Sequence, residues 1–210
     1  MKNIILIRHG ESEYNAKRIV QGHIDTDLTP AGIVQARLAA ETLKNFPIEK
    51  IISSDLKRAY RTATIIGDVL DLAVEKDSRI REMSFGEWEG RSYEHIFQTD
   101  YHTFNNWLKN PVACPLPSQE DLKDFENRIK SFYKDLLNRE EKNILVVGHG
   151  GSIQGILCVA CNIGFENLWA FKHSNTGISI IQVSNPQVSI RLINSTSHLD
   201  TYRSKENPIM

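Results

Sequence analysis

Two short segments of the chain carry residues suited to chemistry on an anion. Arg8-His9-Gly10 closes an apolar run at residues 3–7, and Gly148-His149-Gly150-Gly151 closes another at residues 144–147. A neutral imidazole can act as a nucleophile, and neighbouring cations favour its neutral form. An adjacent guanidinium presents a fork of donors that matches phosphate oxygens. An Arg-His dipeptide taken alone fits an ordinary surface pair equally well, so the elements that position it carry the argument.

Runs this short cannot be typed by periodicity, but their Ile and Val content and the glycine that follows favour buried strands. Ile51-Ile52 reads as another strand. Thr29 is placed to cap a helix with Pro30 as its first residue, running to about Lys44. Leu28 and Ile33 then fall at the positions of a hydrophobic staple. Asp55 is placed to cap the next helix, which carries Ala59, Ala63, Ile66 and Leu70 on one side. Residues 80–90 read as irregular and 92–109 as weakly helical, and Pro111, Pro115 and Pro117 mark a loop. Ser118 with Asp121 resembles a capping box. Leu122, Phe125, Ile129, Phe132 and Leu136 follow at steps of 3, 4, 3 and 4, an amphipathic helix. A helical segment runs from Gly151 to about Ala160, and residues 178–183 and 188–193 form a hairpin turning at Asn185-Pro186. Strands alternating with helices predict an α/β fold with a mainly parallel sheet. Ligands in such folds sit at the carboxyl ends of strands, where both histidine segments fall.

Composition bounds the partners. The chain has 210 residues, 40% apolar and 24% charged, the balance of a single globular domain. With 25 basic and 26 acidic residues its net charge is −1, which argues against a general nucleic-acid binder and a polybasic membrane-surface protein. Cys114, Cys158 and Cys161 are too few and too odd for a disulfide framework. Cys158-x-x-Cys161 falls in a predicted helix without a second ligand pair, and reads as core thiols. The first apolar run is shorter than the roughly 7–15 residues of a signal peptide's core, and no stretch approaches the ~18 apolar residues of a membrane span. The expected location is the cytoplasm, and no membrane partner is expected.

Five segments extend the two histidine sites. They are RHGESEYN, GHIDTDLTPAG, SSDLKRAYRTA, REMSFGEWEG and VVGHGG, in that order. Together they resemble the histidine phosphatase superfamily, the phosphoglycerate mutase-like group, from residue 5 to about 199. The resemblance implies a three-layer α/β/α sandwich with a mainly parallel central sheet, and a single domain over 1–210 with a substrate-cap insertion around 91–120. It implies that His9 is the nucleophile that becomes phosphorylated and that Arg8, Arg58 and His149 line the phosphate pocket. Asn15 matches a pocket asparagine and Glu82 the acid/base position. Glu82 is preferred to Glu87 and Glu89 because it precedes FGEWEG as the family acid does.

Other roles are expected around this set. Backbone N–H groups near Gly150 and Gly151, at a helix start, can join the anion site. Gln21, Gly22 and His23 fall on a loop that can close over the phosphate, and His198 lies in a late segment, NSTSHL, resembling some phosphatase members. No carboxylate cluster of Mg²⁺-site type is evident, so neither metal nor cofactor is expected. Tyr101, Phe104 and Trp107, at steps of three, read as helix packing in preference to a cap over the pocket.

The family holds both phosphatases and mutases. Cofactor-dependent mutases carry YG-x-LQGLNK after the catalytic glutamate and then a basic insertion. This chain has FGEWEGRSYEHI there, with Arg91 and Lys109 the Lys/Arg residues between Glu82 and Pro111. Its pattern resembles the phosphatase branch. Phosphoserine phosphatases of that branch place a histidine third after the acid. Here it is Phe85, which argues against a phosphoserine preference. The expectation is a metal-independent phosphomonoester hydrolase acting on a small phosphorylated metabolite. The alternatives are a cofactor-dependent phosphoglycerate mutase and a catalytically silent phospho-ligand binder. A homodimer is the default assembly.

Overall fold

The computed structural model describes residues 1–200 and 202. Its centre is a six-stranded sheet in the order β3-β2-β4-β1-β5-β6. The strands are β1 (Lys2–Arg8), β2 (Lys50–Ser53), β3 (Val74–Lys76), β4 (Asn143–Gly148), β5 (Ile178–Ser184) and β6 (Gln187–Ser195). Pairings from β3 through β1 are parallel, whereas β5 and β6 add an antiparallel edge. The helices are α1 (Glu13–Ala16), α2 (Pro30–Leu43), α3 (Lys57–Leu70), α4 (Tyr93–Thr99), α5 (Tyr101–Lys109), α6 (Leu122–Asn138) and α7 (Gly150–Cys161).

Alternation along the inner strands builds two cores. Ile4, Leu6, Ile52, Ile144 and Val146 point to one side, into a core with Phe125, Ile129 and Phe132 of α6 and Ile153, Ile156 and Leu157 of α7. Ile5, Ile7, Ile51, Leu145 and Val147 point to the other, against Ala39, Ala40 and Leu43 of α2 and Ala59, Ala63 and Ile66 of α3. The expected three-layer α/β/α sandwich follows. Because both faces are covered, the strands carry continuous apolar runs.

Local signals explain most boundaries. Thr29 Oγ1 accepts the Gly32 N–H at 3.0 Å, capping α2 as expected. Two expected caps are corrected. The residue before α3 is Leu56, with no side-chain cap, because Asp55 accepts Arg81 Nε at 2.7 Å instead. Asp121, not Ser118, caps α6, its Oδ1 accepting the Lys123 N–H at 2.8 Å. Ser118 sits in an upstream turn at φ 56° and donates to Glu87 Oε1. Strand β3 carried no sequence signal because three residues are too few to show a period.

The loop after β1 is pressed against the first turn of α2. A Cβ on Gly10 would lie 2.5 Å from the Gly32 carbonyl oxygen, and one on Gly32 only 2.1 Å from that of Glu11. Both obstacles are backbone atoms, so neither yields cheaply. Gly32→Ala is expected to cost about 1–3 kcal/mol through overpacking, read as a lowered midpoint in urea unfolding. An unchanged midpoint would contradict this packing.

Candidate active site

The β1–β4 register brings the two histidine segments together. Arg8 stands opposite Gly148, and the next N–H, that of His9, donates to the Gly148 carbonyl at 3.0 Å. His9 and His149 therefore leave neighbouring strand ends with ring centroids 5.1 Å apart. Ser54, just past β2, reaches the same place, with Oγ 2.9 Å from His149 Nε2.

His9 is buried, with Nδ1 2.7 Å from the Gly10 carbonyl oxygen. A carbonyl only accepts, so Nδ1 carries the proton, and the neutral ring keeps its lone pair on Nε2. Burial, then the Arg58 and Arg8 charges, push the imidazolium well below the ordinary 6.5. Burial and Arg58 do the same to His149.

Arg8 and Arg58 are held by carbonyls rather than carboxylates. Arg8 Nη1 donates to His173 O at 2.7 Å. Arg58, in the first turn of α3, donates to Gly22 O at 2.8 Å and Ile24 O at 3.0 Å. The Nε atoms of both are buried without a partner. Burial lowers Arg58 to about 10, with Glu82 and Asp25 opposing, so it stays charged at neutral pH. Asn15 Oδ1 and Gln21 Oε1 both lie within hydrogen-bond reach of Ser12 Oγ, at 3.0 and 2.9 Å. Asn175 Nδ2 donates to the former and Thr26 Oγ1 to the latter. With their oxygens engaged inward, both amides keep N–H donors for the cavity they line.

Glu82 lies across from them. Its Oε2 accepts the Gly151 N–H at 3.2 Å and its Oε1 the Met83 N–H at 3.0 Å. Its backbone is braced by two side chains. Arg128 donates to the carbonyls of Arg79, Arg81 and Glu82, and His23 Nε2 lies 2.8 Å from Glu82 O. Glu87 and Glu89 are engaged elsewhere. Glu89 Oε1 accepts from Ser84 Oγ and the N–H groups of His23 and Phe85. Gly22 makes that junction possible: at φ +53°, its Cβ would fall 1.9 Å from Glu89 Oε1.

Arg8, His9, Asn15, Gln21, Gly22, Arg58, Glu82 and Gly150 all line one cavity of about 230 Å³. His149 is fully buried against His9, with Nε2 held 2.9 Å from Ser54 Oγ and Nδ1 left without a partner. Two expectations are corrected. His23 is not among the residues lining the cavity, its Nε2 lying 2.8 Å from the Glu82 carbonyl oxygen. The Gly151 N–H belongs to Glu82 and is not free for an anion. His198 supports from outside, 3.0 Å from Thr176 Oγ1, while the Thr176 N–H donates to the Arg8 carbonyl.

The aromatic expectation also changes. Phe104 and Trp107 of α5 do pack, yet they line the cavity too, whereas Tyr101 is exposed. Arg128, Gln154, Trp169 and His173 carry no local sequence signal, since only the tertiary path brings them here. Cys158 is buried in α7, with burial raising its thiol to about 12. Among the described residues no group of three or more His, Cys, Asp or Glu is placed to hold a metal ion, and no helix is long and apolar enough to cross a membrane.

The five ordered segments contribute Arg8, His9, Asn15, Gly22, Arg58, Glu82 and Gly150 to this cavity, setting a neutral histidine beside two guanidinium groups. The chain belongs to the histidine phosphatase superfamily (branch 1), matching it over residues 4–196. It is 43% identical to a putative phosphoserine phosphatase 2 of Hydrogenobacter thermophilus, covering 94% of this chain and 98% of that one. It is 32% identical to a probable phosphoglycerate mutase of Yersinia pestis, covering 95% and 96%. Its fold superposes on a mycobacterial glucosyl-3-phosphoglycerate phosphatase solved with VO3 at a TM-score of 0.87 and 26% identity, covering 93% and 100%.

The buried neutral histidines make stability depend on pH. Unfolded, each would bind a proton near 6.5; folded, it resists until well below that. The unfolded state then holds more protons, so stability is fully present above 6.5 and falls as pH drops below it. His9→Asn removes one such group and should reduce the loss between pH 6.5 and 5.5 by roughly 1 kcal/mol, measured by urea unfolding at both values. Equal losses in parent and variant would contradict a neutral buried His9.

Proposed function

We propose that the protein is a phosphomonoester hydrolase of a small phosphorylated metabolite, working through a phosphohistidine on His9. The observation that carries this reading is the tautomer of His9. Its Nδ1 proton is committed to the Gly10 carbonyl, which leaves Nε2 as a nucleophile beside two guanidinium groups.

In the first step Nε2 attacks phosphorus, the P–N bond forms and the P–O bond to the alcohol breaks. Arg8 and Arg58 meet the charge on the phosphoryl oxygens through their spare Nε–H donors. The amides of Asn15 and Gln21 add neutral donors. Glu82, as general acid, gives a proton to the leaving oxygen. In the second step the Glu82 carboxylate takes a proton from water, the water oxygen attacks phosphorus and the P–N bond breaks. Inorganic phosphate leaves and His9 is restored. Cys158 and Cys161 take no part.

The mutase-named relative favours a second reading, in which the phosphoryl group returns to a sugar acid. The cavity argues against it, since Arg8 and Arg58 are its lysine or arginine lining residues and both serve the phosphate. Family relationship also admits a single domain with residues 91–120 as a substrate cap. Tyr93, Phe104, Trp107 and Leu108 on the cavity surface support that cap.

The expected product of incubation with a labelled phosphomonoester is an acid-labile, base-stable phosphoprotein that His9→Ala does not form. Glu82→Gln should lower kcat about 10²–10⁴-fold as expected for loss of a general acid, with phosphate binding retained. Isomerisation of 3-phosphoglycerate that needs 2,3-bisphosphoglycerate and releases no phosphate would establish the mutase instead. Tight phosphate binding without turnover would establish the silent binder.

A further inference from the structure

The cavity lining has two chemical characters. One set of residues, Arg8, His9, Arg58 and Glu82, is polar or charged. The other is a wall of Phe85, Tyr93, Phe104, Trp107 and Trp169. The wall is a packed unit rather than scattered rings. Phe85 meets Trp107 edge-on at 5.8 Å, Phe104 lies 6.2 Å from Trp107, and Trp107 lies 4.5 Å from Trp169. Its members come from the segment after Glu82, from α4 and α5, and from the Phe165–Ala170 turn. Three separate parts of the chain thus converge to present aromatic surface to the ligand.

Charge on this side is as informative as the rings. Among the lining residues, Arg8 and Arg58 are the guanidinium or ammonium groups and Glu82 is the carboxylate. All three belong to the phosphate chemistry. A leaving group with its own carboxylate would lose water there without a cation to pair with, at a cost greater than ring contact returns. The polar groups on offer beyond the phosphate set are neutral. Gln154, 8% exposed, keeps Oε1 buried without a partner, and Trp169 keeps Nε1 buried without one. One is an acceptor and the other a donor, a match for a hydroxyl, amide or ring nitrogen.

We infer that the protein selects phosphomonoesters whose alcohol is uncharged and presents an apolar or aromatic face to the Phe104–Trp107–Trp169 wall. The inference rests on the phosphomonoester reading above and narrows it to a substrate class. It sets this chain apart from a preference for phosphorylated amino acids or sugar acids.

Binding of non-hydrolysable phosphonates to the intact protein tests it independently of turnover. By calorimetry, 2-phenylethylphosphonate should bind at least about tenfold more tightly than ethylphosphonate, as partial burial of a ring predicts. The phosphonate analogue of phosphoserine should bind no more tightly than ethylphosphonate. Phe104→Ser and Trp169→Ser should bring the ratio of the first two ligands close to one, with Phe104→Leu as a gentler variant should Phe104→Ser not fold. Tighter binding of the phosphoserine analogue than of the phenylethyl ligand would overturn the inference. So would variants that weaken both alkyl ligands equally. Phosphate release from ethyl phosphate and 2-phenylethyl phosphate is measured separately. The ring preference without any release would uphold the ligand class and sink the hydrolase reading.

Discussion

The constraint that organises this molecule is a pair of buried guanidinium groups without a carboxylate in contact. Arg8 and Arg58 take part in none of the ion pairs among the described residues; three backbone carbonyls hold them instead. Buried charge held by dipoles alone is costly, and here the deficit is left open on the cavity side. The two spare Nε donors express it. Burial, reinforced by the same arginine charges, keeps His9 and His149 neutral. In the reading proposed above, the phosphate of the ester supplies the missing negative charge.

Holding the site open demands rigidity behind it. Residues 78–90 run through two 3-10 turns rather than a helix or strand, so their carbonyls need outside partners. Arg128 takes three of them, and the Glu120 carboxylate, 2.7 Å from Arg128 Nε, fixes its fork. The segment that carries Glu82 is thereby tied to α6, whereas His9 follows directly from β1. His9 and Glu82 are thus held by different elements, and both line the cavity.

What could be read from the sequence follows from this division. The strand ends were legible because hydrophobic runs that stop at Arg8-His9-Gly10 and Gly148-His149-Gly150 have one sensible place in an α/β sheet. The helices with a clear apolar stripe, such as α6, were legible for the same reason. The bracing groups were not, because a carbonyl partner such as that of Arg128 leaves no trace in residue type. His23 falls in a pocket segment, but a single hydrogen bond to Glu82 O holds its Nε2. The steps of three at Tyr101, Phe104 and Trp107 favour packing over a cap. The meeting of α5 with Trp169 lets packed rings line the cavity as well.

Separating floor from wall has a consequence for specificity. The floor is built by strand pairing and by the first turns of α3 and α7, where a change of residue disturbs the sheet as well as the chemistry. The wall is built by residues 85–108 and 165–169, which lie outside the sheet and contribute mainly to the core around α6 and α7. If the inference drawn above holds, replacing a ring there changes which alcohol is accepted while the strand pairing that carries His9 stays in place. One phosphate site could in this way serve different leaving groups.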